Sequence, residues 1–419
     1  MDGLPGIGLF FTDFEAAKNH WAEIQRFADA LRGPPDSVTD FLAVLKKLGL
    51  PVPEGMTQPQ AAAAFLDAAK GAIATLNELR TAVDKGPWDW RLGPGSSPED
   101  QERFRRMVAA QSALRTSALL TKALIDARWL TGDAGSLFAD AMLMQNLARR
   151  VDDGPTLLSM LSARSLRDST GRIVSSDRVL TSLTEAELTQ LTRSLGEFNT
   201  AAASARALAG ERDRLAAWTP EDIRHLYDHQ AVQAAGNSGF SWTAALSSLP
   251  RALWSDALIA DNQAVITGDL DASLARFDPA GRRYHPPDDT EVSGADAIRR
   301  DGGLLNEWYF TIALQTAVPD LFGFGDRLSY DQATTDLAQL SAALELQRRT
   351  TGQYPDTLDA IATTLPNGLP HELITGAPYV YQKTPEGGYR LSVPPLPINK
   401  SGVEPPVIVR PPAPAPSGR

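Results

Sequence analysis

Apolar residues recur every three or four positions along most of this chain, which is the spacing typical of amphipathic α-helices. The clearest stripe begins after Ser97, a suitable N-cap, with Pro98 at the first helical position, and ends at Thr131 before Gly132. Its members are Phe104, Met107, Val108, Gln111, Leu114, Ala118 and Ile125.

Similar stripes predict further helices. Short helices are marginal in water on their own, so each must bury its apolar stripe against a neighbour. The pattern therefore predicts a mainly α fold, with a multi-helix body of packed helical hairpins and a small C-terminal α plus β-hairpin module. The further stripes span residues 13–31, 37–48, 58–83, 136–150, 184–209, 220–235, 241–267 and 326–350.

Three stretches break the helical period. Residues 277–303 are dense in Pro, Gly and Asp, which predicts a long loop. Residues 378–392 hold two short runs rich in Tyr and Val around the turn sequence TPEGG, which predicts a β-hairpin. In the proline-rich stretch that follows, the sequence VIVR at 407–410 predicts one edge strand.

These breaks divide the chain into four predicted regions. Residues 1–95 form an N-terminal helical region, and residues 96–325 form a central helical body that contains the long loop. Residues 326–392, called the C-terminal module below, combine a long helix with the hairpin. Residues 393–419 form a Pro-rich extended tail.

Composition contributes mainly by exclusion. The 419 residues carry a formal net charge of −11, so no nucleic-acid partner is expected. Without cysteines the chain has no disulfides, thiolate nucleophiles or cysteine-ligated metal sites. The first residues, MDGLPGIGLFF, lack the basic start and cleavage site of a signal peptide. We therefore expect any leader or membrane tether to come from a segment outside this sequence.

One set of side chains has the spacing of a metal site. In the sequence PEDIRHLYDHQ, Asp222, His225 and His229 fall at i, i+3 and i+7 on one face of a predicted helix. Two imidazoles one turn apart and a carboxylate one turn earlier are able to hold a divalent metal. The general-base glutamate of the zinc-protease helix is replaced here by Leu226. A metal-dependent hydrolase is therefore an alternative hypothesis beside an ordinary polar helix face, and no other cofactor is expected.

Two tryptophans support a third hypothesis. Trp88 and Trp90 flank Asp89 in the loop sequence KGPWDWRLGPG. Two indoles on one loop are able to stack on a sugar or a peptide, although such residues also commonly fix a loop to a helical body. Together with the loop at 277–303, they make a ligand- or peptide-binding helical protein a further alternative.

The residues of the C-terminal module predict its local structure. Gly352 tolerates a positive φ and ends the long helix, whereas Pro355, directly after Tyr354, fixes φ and begins a short helix. Because an isolated hairpin is marginal, the hairpin must pack on the long helix. The apolar positions on the long helix are Leu337, Leu340, Leu344 and Leu346, and those facing them are Leu358, Ile361, Leu365, Tyr379, Tyr381, Tyr389 and Leu391.

The order of these residues resembles a family pattern. Residues 340–392 are similar to the C-terminal module of uncharacterised, mostly extracytoplasmic bacterial proteins, and to the C-terminal part of the major pseudopilin of type II secretion systems. The residues that match are Gly352, Tyr354, Pro355, Thr357, Leu358, Ile361, Thr375, Gly376, Pro378, Tyr379, Tyr381, Gly388, Tyr389 and Leu391. The pseudopilin assembly helix is absent, and VPPLPINKSG replaces its calcium loop, so neither pilus assembly nor calcium binding is implied.

The resemblance implies an extracytoplasmic location, in the periplasm or cell envelope. With the helical pattern, it leads to our main hypothesis, which is a non-enzymatic helical scaffold or interaction protein of the bacterial cell envelope. An envelope or secretion-related protein is the expected partner.

The metal hypothesis makes a direct prediction. If Asp222, His225 and His229 bind a divalent ion, protein purified without added metal carries about one ion per chain, and His225→Ala loses it. Elemental analysis of both proteins measures this, and a metal-free parent protein would contradict the hypothesis.

Overall fold

The structure is a computed structural model that describes residues 14–31, 38–84, 98–224, 255–287, 297–298, 325–396 and 404–412. Within these ranges the chain is mainly helical, as the apolar spacing predicts. The first four helices are α1 Phe14–Ala30, α2 Phe41–Lys47, α3 Gln58–Ala68 and α4 Lys70–Asp84. The stripe at 58–83 is therefore two helices that meet at Ala69.

The central body begins with the longest described helix, α5 Pro98–Thr131, which has Pro98 at its first position as predicted. Gly132 takes a φ of +78°, and Asp133 caps the next helix by accepting from Ser136 N–H at 3.3 Å. The helices that follow are α6 Ala134–Asp152, α7 Leu157–Val174, α8 Asp177–Leu180, α9 Glu185–Gly196, α10 Thr200–Ala216 and α11 Asp256–Leu274.

The predicted loop at 277–303 begins with regular structure. Strands β1 Phe277–Asp278 and β2 Arg283–Tyr284 pair antiparallel, so residues 277–284 form a short hairpin. Tyr284 is buried, and its ring lies 4.9 Å from that of Phe277. The loop prediction was wrong for these residues because the alternation is too short to register as a strand period.

The C-terminal part begins with helix α12, Gly325–Thr351. A 3₁₀-helix, Leu358–Thr364, and strands β3 Val380–Lys383, β4 Tyr389–Ser392 and β5 Val407–Arg410 follow. The strands form an antiparallel sheet in the order β3-β4-β5, which confirms both the hairpin and the VIVR edge strand. We call residues 352–396 and 404–412 the clasp.

Helix α12 contributes residues to both the main apolar core and the core of the clasp. Every residue from 328 to 345 is buried. Ala338 and Ala342 join the main apolar core, which runs from α1 to α9 across the predicted boundary at 95/96. Leu337, Leu340 and Leu344 join the core of the clasp instead. Two cores therefore meet on opposite faces of one helix.

The packing of the clasp follows the predicted pattern with one exception. Leu346 contacts the main core and not the clasp. Leu346 comes four residues after Ala342, so it lies on the face of α12 that meets the main core. None of the described helices is both long and apolar enough to cross a membrane.

Two helical glycines provide a matched test of the α7–α12 contact. A Cβ on Gly171 would lie 2.6 Å from Thr334 Cγ2 and 3.0 Å from Thr334 O, whereas Gly268 in α11 has nothing within 4 Å. We expect Gly171→Ala to lower the free energy of unfolding by about 1–3 kcal/mol through overpacking. Gly268→Ala should raise it by up to about 1 kcal/mol because alanine favours helix. Urea denaturation measures both, and equal effects would contradict this contact.

Candidate functional site

One group of polar contacts in the C-terminal part lies at the end of α12. Gly352 has a φ of +84° and donates its N–H to Arg348 O at 2.7 Å, so the chain reverses there as predicted. The reversal brings Tyr354 back over the helix, where its hydroxyl donates to Glu345 Oε2 at 3.1 Å. Its ring meets that of Tyr389 edge to face at 4.8 Å.

The short helix and the sheet are joined through Pro355 and Tyr381. Tyr381 donates its hydroxyl to Pro355 O at 2.6 Å, and Lys383 pairs with Asp356 at 2.9 Å. Burial raises the pKa of the Tyr381 hydroxyl to about 12, so it remains a donor at neutral pH. The structure gathers into one apolar cluster six of the residues that the sequence singles out: Tyr354, Leu358, Ile361, Tyr379, Tyr381 and Tyr389.

Glu345 connects this cluster to the helical body. Its carboxylate accepts from Arg348 at 2.7 Å and 2.8 Å and from Arg349 at 3.1 Å. Burial opposes ionisation, but these two guanidinium groups outweigh it and lower the pKa of Glu345. Arg349 also donates to Leu183 O and, at 2.8 Å, to Leu180 O near the end of α8. Glu345 is thus an ionised link between the clasp and α8.

A second buried carboxylate, Asp336, lies in the middle of α12, before Glu345. Tyr379 donates its hydroxyl to Asp336 Oδ2 at 2.8 Å, and Gln332 donates to Oδ1 at 2.8 Å. Arg282, from the β1–β2 turn, lies 3.7 Å away. Burial raises the pKa of Asp336 to about 6, against the lowering effects of Arg282, Gln332 and Tyr379. Three separate parts of the chain therefore converge on one carboxylate.

Glu372 organises the segment that leads into β3. It is fully buried and accepts from Ser329 Oγ at 2.5 Å, from Ile374 N–H at 2.9 Å and from Thr375 N–H at 2.6 Å. A carboxylate that accepts this many hydrogen bonds is held in one orientation. Glu372 therefore fixes the turn at 372–376 onto the first turns of α12.

Asp331 faces the opposite way, towards the helical body. It accepts from Arg164 Nε at 2.9 Å, and Arg167 Nη2 lies 3.9 Å from its other oxygen. Burial raises the pKa of Asp331 to about 7, and the charges of Arg167 and Arg164 act in the other direction. Arg167 also binds Asp152 of α6, and its guanidinium lies 4.3 Å above the ring of Phe198.

The same kind of pair recurs in the first half of the chain. Asp140 of α6 is bound by Arg80 of α4 at 2.8 Å and by Arg128 of α5 at 3.0 Å. Burial raises the pKa of Asp140 to about 6. Asp126 of α5, fully buried, pairs with Arg178 of α8 at 3.1 Å. Buried carboxylates bound by arginines from other helices are thus a general feature of the described body.

The sequence-predicted metal set lies mostly outside the described residues. His225 and His229 belong to residues 225–254, which the structure does not describe. Asp222 is described, and its Oδ2 accepts from both Thr219 N–H and Thr219 Oγ1 at 2.7 Å. In turn Thr219 Oγ1 accepts from Asp222 N–H at 3.2 Å, which completes a capping box at this helix start. The carboxylate of Asp222 therefore has a helix-capping role, and the metal site stays a prediction.

The predicted aromatic site has the same status. Trp88 and Trp90 lie within residues 85–97, outside the described ranges, so their role stays a prediction. Within the described ranges, no group of three or more His, Asp or Glu side chains is arranged to hold a metal ion.

Sequence reasoning missed the buried acids of α12. Asp331, Asp336 and Glu345 are not at i, i+3 or i+4 spacing from one another, and Glu372 belongs to no motif identified from the sequence. Between residues 328 and 345 the polar residues are distributed around the whole helix, so the sequence shows no single face that is reserved for solvent. That irregular pattern is the only local sign that α12 differs from the amphipathic helices.

We compared the chain with protein-family models, with curated proteins and with solved structures, and none of them matches. The resemblance of residues 340–392 to extracytoplasmic and pseudopilin modules stays a prediction. What the described residues themselves provide is a set of buried acid–arginine pairs and a tyrosine-braced sheet.

Two arginines of α7 test the importance of burial for these pairs. Arg167 and its partner Asp152 are nearly inaccessible, whereas Arg172 and its partner Asp168 are about half exposed. We expect Arg167→Met to lower the free energy of unfolding by about 3–5 kcal/mol because Asp152 loses its buried partner. Arg172→Met should cost less than about 1 kcal/mol.

Urea denaturation at neutral pH measures both variants. A second change, Asp152→Asn in the Arg167→Met background, should recover part of the loss because it removes the unpaired charge. Similar costs for Arg167→Met and Arg172→Met would show that burial of the pair is unimportant.

Proposed function

We propose that this protein is a non-enzymatic helical scaffold or interaction protein of the bacterial cell envelope, and that its clasp presents a surface to a partner protein. The observation that supports this most strongly is the outer edge of the C-terminal sheet. Val407 and Val409 are 41% and 63% exposed there, on a strand whose other edge is paired with β4.

The register of the sheet indicates which backbone groups of β5 have no partner strand among the described residues. Thr384 donates its N–H to Gly388 O at 2.9 Å, so in the alternating antiparallel ladder the amides of Tyr389 and Leu391 face β5. They meet Arg410 and Ile408, respectively.

The backbone groups of the two exposed valines therefore point away from β4. In one short stretch, β5 offers hydrogen-bonding groups at its edge and two apolar side chains on its outer face. This combination is used by proteins that bind an extended peptide as an added strand. The prolines at 405, 406, 411 and 412 limit the free edge to the strand itself, which suits one defined partner and disfavours open-ended stacking.

The clasp is suited to such a role because its tyrosine hydroxyls already bind acceptors inside the protein. The hydroxyls of Tyr354, Tyr379 and Tyr381 all donate to acceptors within the C-terminal part. Arg410, at the end of β5, is buried and contacts Asp177 of α8. A sheet held from both sides changes little on binding, which lowers the entropic cost of association.

The envelope location is supported by the resemblance of residues 340–392 to modules of extracytoplasmic proteins. A secretion-related or other envelope protein is the partner that this resemblance favours. The hydrolase and ligand-binding hypotheses involve His225, His229, Trp88 and Trp90, and no described contact favours either of them.

Site-specific photo-crosslinking tests the proposed surface. A benzophenone amino acid placed at Val409 should crosslink one defined protein in cells of the native host, recovered from the envelope fraction. The matched control is Val38, an exposed valine in the N-terminal region with 43% exposure. The control position should give only the background pattern.

Two further results bear on the proposal. Adding Val407→Lys should abolish the crosslink from position 409, because a charge then occupies the apolar face of β5. The identified partner should also bind the purified protein. The same pattern at positions 409 and 38 would contradict the proposed surface, and a product confined to the cytosolic fraction would contradict the envelope location.

A further inference from the structure

The surroundings of the Asp336 carboxylate include groups from the clasp, so they depend on the clasp lying against α12. Of the groups that surround its carboxylate, Gln332 belongs to α12 itself, whereas Tyr379 and Glu372 belong to the clasp. Arg282 comes from the β1–β2 turn. Movement of the clasp away from α12 would remove the tyrosine donor and expose the carboxylate to water.

We propose that closure of the clasp on α12 is coupled to proton uptake by Asp336, so that the clasp is held more tightly at mildly acidic pH than at neutral pH. This coupling does not rest on the proposed partner surface. It would allow the compartment's acidity to set how often the tyrosine-braced sheet separates from the helix.

The electrostatics of the closed clasp support this coupling. Burial is the largest effect on Asp336 and raises its pKa to about 6 from an ordinary value of 3.8, with the negative charge of Glu372 acting in the same direction. The closed state therefore binds more protons than the open state between these two values. Closure loses stability as the pH rises from about 4 to about 6, and it changes little above that.

Two other ionisable side chains, Arg283 and His371, lie at the clasp segment 371–379. Arg283 donates to Ile374 O at 2.6 Å. His371 is exposed, and its Nδ1 lies 2.9 Å from Gly376 O. A His371→Asn variant serves as the control for the presence of this imidazole on the segment.

The cysteine-free chain allows a direct measurement of opening. Ala343 of α12 is fully buried in the core of the clasp, and Ala163 of α7 is fully buried in the main core. A single cysteine at position 343 reports opening of the clasp, and one at 163 reports unfolding of the body. The probe is an aromatic disulfide reagent, and dividing the labelling rate at position 343 by the rate for the same variant unfolded in urea at the same pH cancels the ionisation of the thiol itself. Labelling at position 343 should also be faster than at position 163, which shows that the clasp opens without unfolding of the body.

We expect the ratio at position 343 to rise at least about tenfold between pH 4.5 and pH 6.5 in the parent protein, from the separation of the two pKa values. The rise should persist in His371→Asn and disappear in Asp336→Asn. A ratio that does not change with pH, or a rise that survives in Asp336→Asn, overturns the proposal.

A second variant keeps the test decisive should Asp336→Asn fail to fold. Tyr379→Phe removes only the hydroxyl that donates to Asp336, a hydrogen bond that lowers the pKa of the carboxyl. The rise in labelling ratio should therefore move to higher pH. A rise at the same or a lower pH overturns the assignment to Asp336.

Discussion

The complete burial of α12 between residues 328 and 345 is the constraint on which the rest of the structure depends. A helix that is buried on all sides and carries Asp331, Asp336 and Glu345 must find partners for three carboxyl groups, because an unpaired buried charge is very costly. Each of the three faces a different part of the chain. The partners come from α7, from the β1–β2 turn and Tyr379, and from the last turn of α12 with Tyr354. These contacts connect α12 to α7, to the β1–β2 turn and to the clasp.

This arrangement makes the body and the clasp parts of one structure. Ala338 and Ala342 contribute to the main core, while leucines on the other side of the same helix contribute to the core of the clasp. The clasp is further tied to the body by the contact of Arg410 with Asp177, and burial lowers the pKa of Arg410 to about 10. A sheet supported in this way is a suitable platform for a partner, which is the role we propose for the outer edge of β5.

Much of the local structure could be predicted from the sequence because it depends on neighbouring residues. The helix end at Gly352, the hairpin of β3 and β4, and the edge strand β5 follow from backbone preferences and apolar alternation. The buried acids could not be predicted in this way. Asp331 and Arg164 are 167 residues apart, and nothing in the sequence near Asp336 indicates that Arg282 will face it. The hairpin at 277–284 was missed because two-residue strands carry no detectable period.

Native-state amide hydrogen exchange, followed by mass spectrometry, tests the central role of α12 most directly. If α12 belongs to both cores, the amides of residues 328–345 should be among the slowest to exchange. Their protection should equal that of α5 and α9, and it should correspond to the free energy of global unfolding. Exchange of these amides through local openings, while α5 and α9 stay protected, would contradict the account.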